Sequence, residues 1–116
     1  MGKRAGPVVY VASAFSGDIT GNVERTKRYS RFVIGKGAYP INPILNLLDV
    51  ISEETDREAA LEIDLGILRS GGIQELWCFG EPSAGMKEEI KAAEEAGLPI
   101  RRFTTDMEDI DNGTYS

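Results

Sequence analysis

The chain has 116 residues, enough for one domain around one core and too few for two. Its formal charge of −6 argues against a nucleic-acid polymer as partner, because affinity for a phosphate backbone comes mainly from clustered Lys and Arg. With no histidine, Ser-His-Asp and Cys-His catalysis and most zinc sites are excluded, so acid–base chemistry near neutral pH falls to carboxylates, tyrosines or lysines.

Lys3 and Arg4 make the start basic, but the apolar run behind them, from about Val8 to Ala14, is too short to cross a membrane. It reads as a first strand over Val8 to Ala12, followed by a loop of small and hydrogen-bonding residues, Ser13 to Asp18. Asn22 is a plausible cap for a helix running to about Gly35, with Val23, Tyr29, Phe32 and Val33 on its apolar side. Ala38 to Ile41 can form a short second strand, although Pro40 weakens it. The apolar stretch Ile44 to Ile51 fits either a helical turn or a lid over the sheet. Thr55 followed by Glu58 is a capping-box pattern, opening a helix from about Asp56 to Arg69 that stops at Ser70-Gly71-Gly72. Ile73 to Phe79 ends in the continuous apolarity of a strand buried on both faces. Its single cysteine, Cys78, can form no internal disulfide, which fits a reducing, cytoplasmic setting. Ser83 caps a helix ending at Ala96-Gly97, and Leu98 to Phe103 is the last strand. Residues 105–116 are acidic and polar, and read as a tail or an arm that orders on a neighbour; residues 1–104 form the domain.

Strands alternating with helices predict a flavodoxin-like (Rossmann-like) α/β domain: a parallel sheet of four or five strands with helices on both faces. In that architecture ligands gather at the carboxyl ends of the strands. Two carboxylates merit weight there. Glu89 lies three residues after Met86 and borders the apolar stripe of its helix, which makes it either a solvated flank residue or a site residue. Asp64 shares a face with Leu61, Leu65 and Leu68, so it is either hydrogen-bonded structurally or part of a site. Tyr10, in the first strand, either packs in the core or orients a carboxylate.

Tyr10, the fragment Glu62-Ile63-Asp64-Leu65-Gly66-Ile67-Leu68, and Pro82-Ser83-Ala84-Gly85-Met86-Lys87-Glu88-Glu89-Ile90 together resemble the nucleoside 2-deoxyribosyltransferase superfamily. That superfamily includes the 2'-deoxynucleoside 5'-phosphate N-hydrolases and an often phage-borne branch. Val9 to Asp18 looks most like that branch, as does Asn22-Val23-Glu24-Arg25 with Tyr29. The resemblance, over about residues 7 to 103, implies cleavage or transfer at the N-glycosidic bond of a deoxynucleoside or its 5'-monophosphate. Glu89 would be the nucleophile, Asp64 would handle the proton of the departing base, and Tyr10 would hold Glu89. Ser83 and the amides around Gly85 would bind a 5'-phosphate or 5'-hydroxyl, helped by Ser13, Ser16 and Gly17. No metal or cofactor is implied, and the partners implied are a small nucleoside or nucleotide and a second copy of the chain in a homodimer or larger homo-oligomer.

Departures from the family pattern bear on the phosphate. Asn42-Pro43-Ile44-Leu45 offers no imidazole where relatives often carry a histidine, and no arginine stands among Phe15, Ser16 and Gly17. Arg25, on the next helix, is the available substitute. A non-catalytic nucleotide-binding module and a purely structural oligomer are the rival readings. Crowded apolar residues Leu45, Leu47, Leu48, Val50 and Ile51 supply a physical motive for assembly, and Tyr115 in the tail could reach a neighbour's pocket.

Overall fold

The computed structural model describes residues 6–14, 17–51 and 56–110. In chain order the described elements are β1 (Val8–Ala12), α1 (Ile19–Gly35), β2 (Tyr39–Ile41), α2 (Pro43–Leu47), α3 (Arg57–Arg69), β3 (Glu75–Phe79), α4 (Ala84–Glu95) and β4 (Ile100–Phe103). The four strands form one sheet in the order β2-β1-β3-β4, every pair parallel. Register places Tyr10 beside Leu76 and Ala12 beside Cys78. The chain moves outward from β1 to β2 and in the opposite direction from β3 to β4, so right-handed crossovers put α1 on one face and α3 and α4 on the other.

Side-chain alternation follows that division. Tyr10, Ala12, Leu76 and Cys78 point to one face and pack with Leu68 of α3 and Met86, Ala92 and Ala93 of α4. Val9, Val11, Trp77, Phe79 and Phe103 point to the other and pack with Tyr29 and Val33 of α1. On that second face Tyr29 stacks on Phe79 and Phe79 on Phe103, with centroids 4.4 and 5.0 Å apart. Both faces of the central strands are therefore dry, which is why β1 and the end of β3 are apolar without alternation.

Several boundaries differ from the sequence reading, each for a local reason. α1 is capped by Asp18 rather than Asn22: the Asp18 carboxylate accepts the Gly21 N–H at 3.1 Å, while Asn22 is buried one turn on. Pro40 is tolerated because β2 is an edge strand, paired among the described residues with β1 alone. The Ile44 to Ile51 stretch opens as a short helix with Pro43 in its first turn. Thr55, half of the expected capping box, lies outside the described residues, and Asp56 at the N-cap makes no side-chain cap bond.

Past β4 the chain turns back on itself. Thr104 N–H donates to Glu108 O and Ile110 N–H to Arg102 O, both at 2.9 Å, and Arg101 pairs with Asp109 at 2.8 Å. Residues 105–110 thus lie against their own domain, covering the outer edge of β4. The remainder of the expected tail, with Tyr115, lies outside the described residues.

Candidate active site

Reversal of the winding between β1 and β3 makes a crevice above their carboxyl ends, and three segments converge there. Gly80, at φ +86°, turns the chain out of β3, a conformation that a Cβ atom disfavours and glycine adopts freely. Ser83 then starts α4: its Oγ accepts the Met86 N–H at 3.3 Å, and its own N–H donates to Met86 Sδ at 3.4 Å. With the start fixed, the inner face of α4 carries Met86, Glu89, Ala92 and Ala93, all buried. A carboxylate is thereby placed where an apolar side chain would ordinarily sit.

Glu89 meets Tyr10 directly. Tyr10 Oη donates to Glu89 Oε2 at 2.5 Å, a short bond of the charge-assisted kind, and the tyrosine is fully buried. Burial raises the Tyr10 pKa far above its ordinary value, and the negative neighbours Glu89 and Asp64 raise it further, so the phenol remains a donor. Glu89 itself is only 8% exposed. Burial pushes its carboxyl up to about 8; the Tyr10 hydrogen bond opposes this rise and the nearby Asp64 adds to it. Asp64, half-buried on α3, is raised to about 6 by burial, with Glu89 and Tyr10 pulling it back. Asp64 Oδ1 is buried with no hydrogen-bond partner among the described residues. Two interacting carboxyls of this kind titrate as a pair, holding one proton between them across neutral pH.

A cavity of about 430 Å³ opens over the pair, within the range typical of small-molecule sites. Of the residues expected from sequence, Tyr10, Asp64, Glu89, Ser13, Ser83 and Gly85 line it. Gly17 and Arg25 are not among its lining residues, and Ser16 lies outside the described residues. Arg25 instead donates to Asn22 Oδ1 at 2.6 Å and lies 3.7 Å from Asp18.

Sequence reading missed the opposite wall. Pro43, Ile44, Leu47, Leu48 and Ile51 form it, joined by Asp49, Arg57 and Glu88. Much of the apolar surplus assigned above to a neighbouring copy faces this cavity, whereas Val50 remains 69% exposed. A polar network beneath Ser13 was also missed. Ser13 Oγ and Thr26 Oγ1 are 2.8 Å apart, and Asn42 Nδ2 donates to Thr26 Oγ1 at 2.7 Å and to Ser30 Oγ at 2.8 Å. These bonds tie the ends of β1 and β2 to α1, so Ser13 stands on a braced support.

A domain of unknown function, DUF7768, matches residues 7–103. The chain belongs to the DUF7768 family. No curated protein matches it. Among solved structures, the DUF7768 domain is similar to a 2-desoxiribosyltransferase from Leishmania mexicana, with a TM-score of 0.57 and 14% sequence identity. The match covers 84% of this chain and 64% of that one, so the DUF7768 chain spans under two thirds of that structure's length. At this identity the likeness establishes the shared fold: a flavodoxin-like α/β domain with an all-parallel sheet. Among the described residues no helix is long and apolar enough to cross a membrane.

Proposed function

We propose that this domain breaks the N-glycosidic bond of a 2'-deoxynucleoside or 2'-deoxynucleoside 5'-monophosphate, passing the deoxyribosyl group to water or to a second base. The observation that carries this reading is the 2.5 Å Tyr10–Glu89 bond inside a cavity that Asp64 also lines. The fold shared with a transferase structure agrees with it.

In the proposed reaction the Glu89 carboxylate attacks C1' of the sugar while the C1'–N bond breaks, its electron pair leaving with the base. The base takes its proton from Asp64. The transition state is oxocarbenium-like, and a carboxylate held beside it by a buried phenol stabilises the positive charge without reorganising. In the second half Asp64, now ionised, removes a proton from the acceptor as it attacks C1', and the C1'–O bond to Glu89 breaks. Both carboxyls return to their starting states. Shape-filling contacts from Leu47, Leu48 and Ile51 would hold the base, and Ser13 or Ser83 the 5' end. The same reading includes a homodimer or larger assembly, supported by the exposed Tyr39 and Ile41 at the β2 edge and by exposed Ile34 on α1.

Incubation with each deoxynucleoside and deoxynucleotide, followed by chromatography for released base, tests the reading. Tight binding with no base release would favour a nucleotide-binding module in its place.

The reaction needs Glu89 ionised and Asp64 protonated, which is the minor of the two ways the pair can hold one proton, because Glu89 is raised to about 8 and Asp64 to about 6. The singly protonated pair is most populated between those values, so kcat/KM is expected to be bell-shaped with its maximum near pH 7. A profile still rising at pH 10 would argue against a carboxylic acid as proton donor. Tyr10→Phe is expected to lower kcat by about 10- to 100-fold, the value of one hydrogen bond to a charged group. Because Tyr10 favours the ionised form of Glu89, the alkaline limb should also move upward. Loss of activity with an unmoved profile would mean that Tyr10 only packs.

A further inference from the structure

We infer that the cavity selects a ligand uncharged at its 5' end, a free 2'-deoxynucleoside, over the corresponding 5'-phosphate; this deepens, and rests on, the reading of the site given above. The first ground is the sign of the lining. Asp49, Asp64, Glu88 and Glu89 line the cavity, and Arg57 is the one cation among its described lining residues. Even with one proton shared between Asp64 and Glu89, three negative charges stand against one positive.

The second ground is that Lys87, next to Glu88, and Arg25 are not among the cavity's lining residues. Arg25, the substitute suggested by sequence, is engaged by Asn22 and Asp18. The chain as a whole, at −6, also repels an approaching anion.

Third, the start of α4 offers a phosphate less than a helix terminus usually does. Ser83 Oγ is taken up by the Met86 N–H, and the Ser83 N–H is directed at Met86 Sδ. Glu88 and Glu89 follow within the first two turns and line the cavity, offsetting the partial positive charge of the exposed amides. A phosphate dianion leaving water requires cations or several N–H donors to replace its hydration, whereas a 5'-hydroxyl requires one or two neutral partners. Ser13, buried on its braced support, suits the hydroxyl.

Binding of each of the four deoxynucleosides and its 5'-monophosphate to the full chain carrying Glu89→Gln, by titration calorimetry at pH 7.5 and low salt, tests the inference. Base release by the unaltered protein is followed in parallel. The nucleoside is expected to bind at least tenfold more tightly than its monophosphate, with the gap narrowing as salt rises. Glu88→Gln, added to the same background, should narrow it about two- to threefold. A monophosphate bound as tightly as its nucleoside, or more tightly, overturns the inference and leaves the glycosidic reading in place if base is released. Nucleoside-selective binding without base release upholds the selectivity and removes the enzyme. No binding of either ligand, with no base release, overturns both.

Discussion

Glu89→Gln is expected to lower base release by at least about 10³-fold while making the folded protein more stable above neutral pH. The amide keeps the shape of the carboxyl, and its oxygen can accept the Tyr10 hydroxyl that Glu89 Oε2 accepts at 2.5 Å, so the inner face of α4 is not disturbed. What it cannot do is bond to the sugar. The stability gain follows from the titration. Glu89 is raised by burial from 4.5 to about 8, so the folded chain holds this proton more tightly than the unfolded chain does. Its favourable contribution is complete below about pH 4.5 and is lost as the pH rises through about 8. Above that, a buried carboxylate is retained at a cost that glutamine does not incur. Urea unfolding should show the variant ahead by about 2–4 kcal/mol at pH 8.5, and by far less at pH 5. An equal effect at both pH values would mean a solvated Glu89. Undiminished base release would mean that another group attacks the sugar.

That a substitution should stabilise the fold and silence the site reflects where the sequence was legible and where it was not. β1 and the α3 and α4 helices were readable because each has a local cause: a continuous apolar run, a serine cap, a glycine stop. The positions of Asp64 and Glu89 near inward stripes followed from the helical period alone. Their meeting did not. The bond from Tyr10 to Glu89 joins residues 79 apart, and strand alternation assigns Tyr10 a face without saying what lies above it. Asp18 and Asn22 are both competent caps, and only the packed position of α1 decides between them, with Asn22 turned in to receive Arg25. The α2 wall was hidden for a similar reason. Composition shows that Leu47, Leu48 and Ile51 must be covered, but the same surplus serves a neighbouring subunit or a cavity equally well. Buried polar braces such as Thr26 and Asn42 leave no sequence signal, because a threonine within a helix reads as a surface residue until its partners are known.

Asp64→Asn is expected to reduce base release by about 10²- to 10⁴-fold, with the loss graded by leaving group. If Asp64 delivers a proton to the departing base, substrates whose base departs readily without one should lose least. A nucleoside already carrying a positive charge on its base, such as 7-methyl-2'-deoxyguanosine, should retain most of its rate. The pH profile should change in a related way. Asp64 raises the Glu89 pKa through its negative charge and their contact, so removing it lowers that pKa below about 8, while burial still holds it above the ordinary carboxyl value, and the rising limb becomes the titration of Glu89 alone. No acid remains to be lost on the alkaline side, so the bell should become a single rising step. The fold should tolerate the change, since asparagine keeps the size of Asp64, its amide can still hydrogen-bond to Glu89 and Tyr10, and Oδ1 has no hydrogen-bond partner among the described residues to forfeit. A uniform loss across leaving groups, with the alkaline limb intact, would assign the proton to another donor. Asp64 would then act on the reaction only through its charge, as a fixed negative group beside the developing oxocarbenium ion.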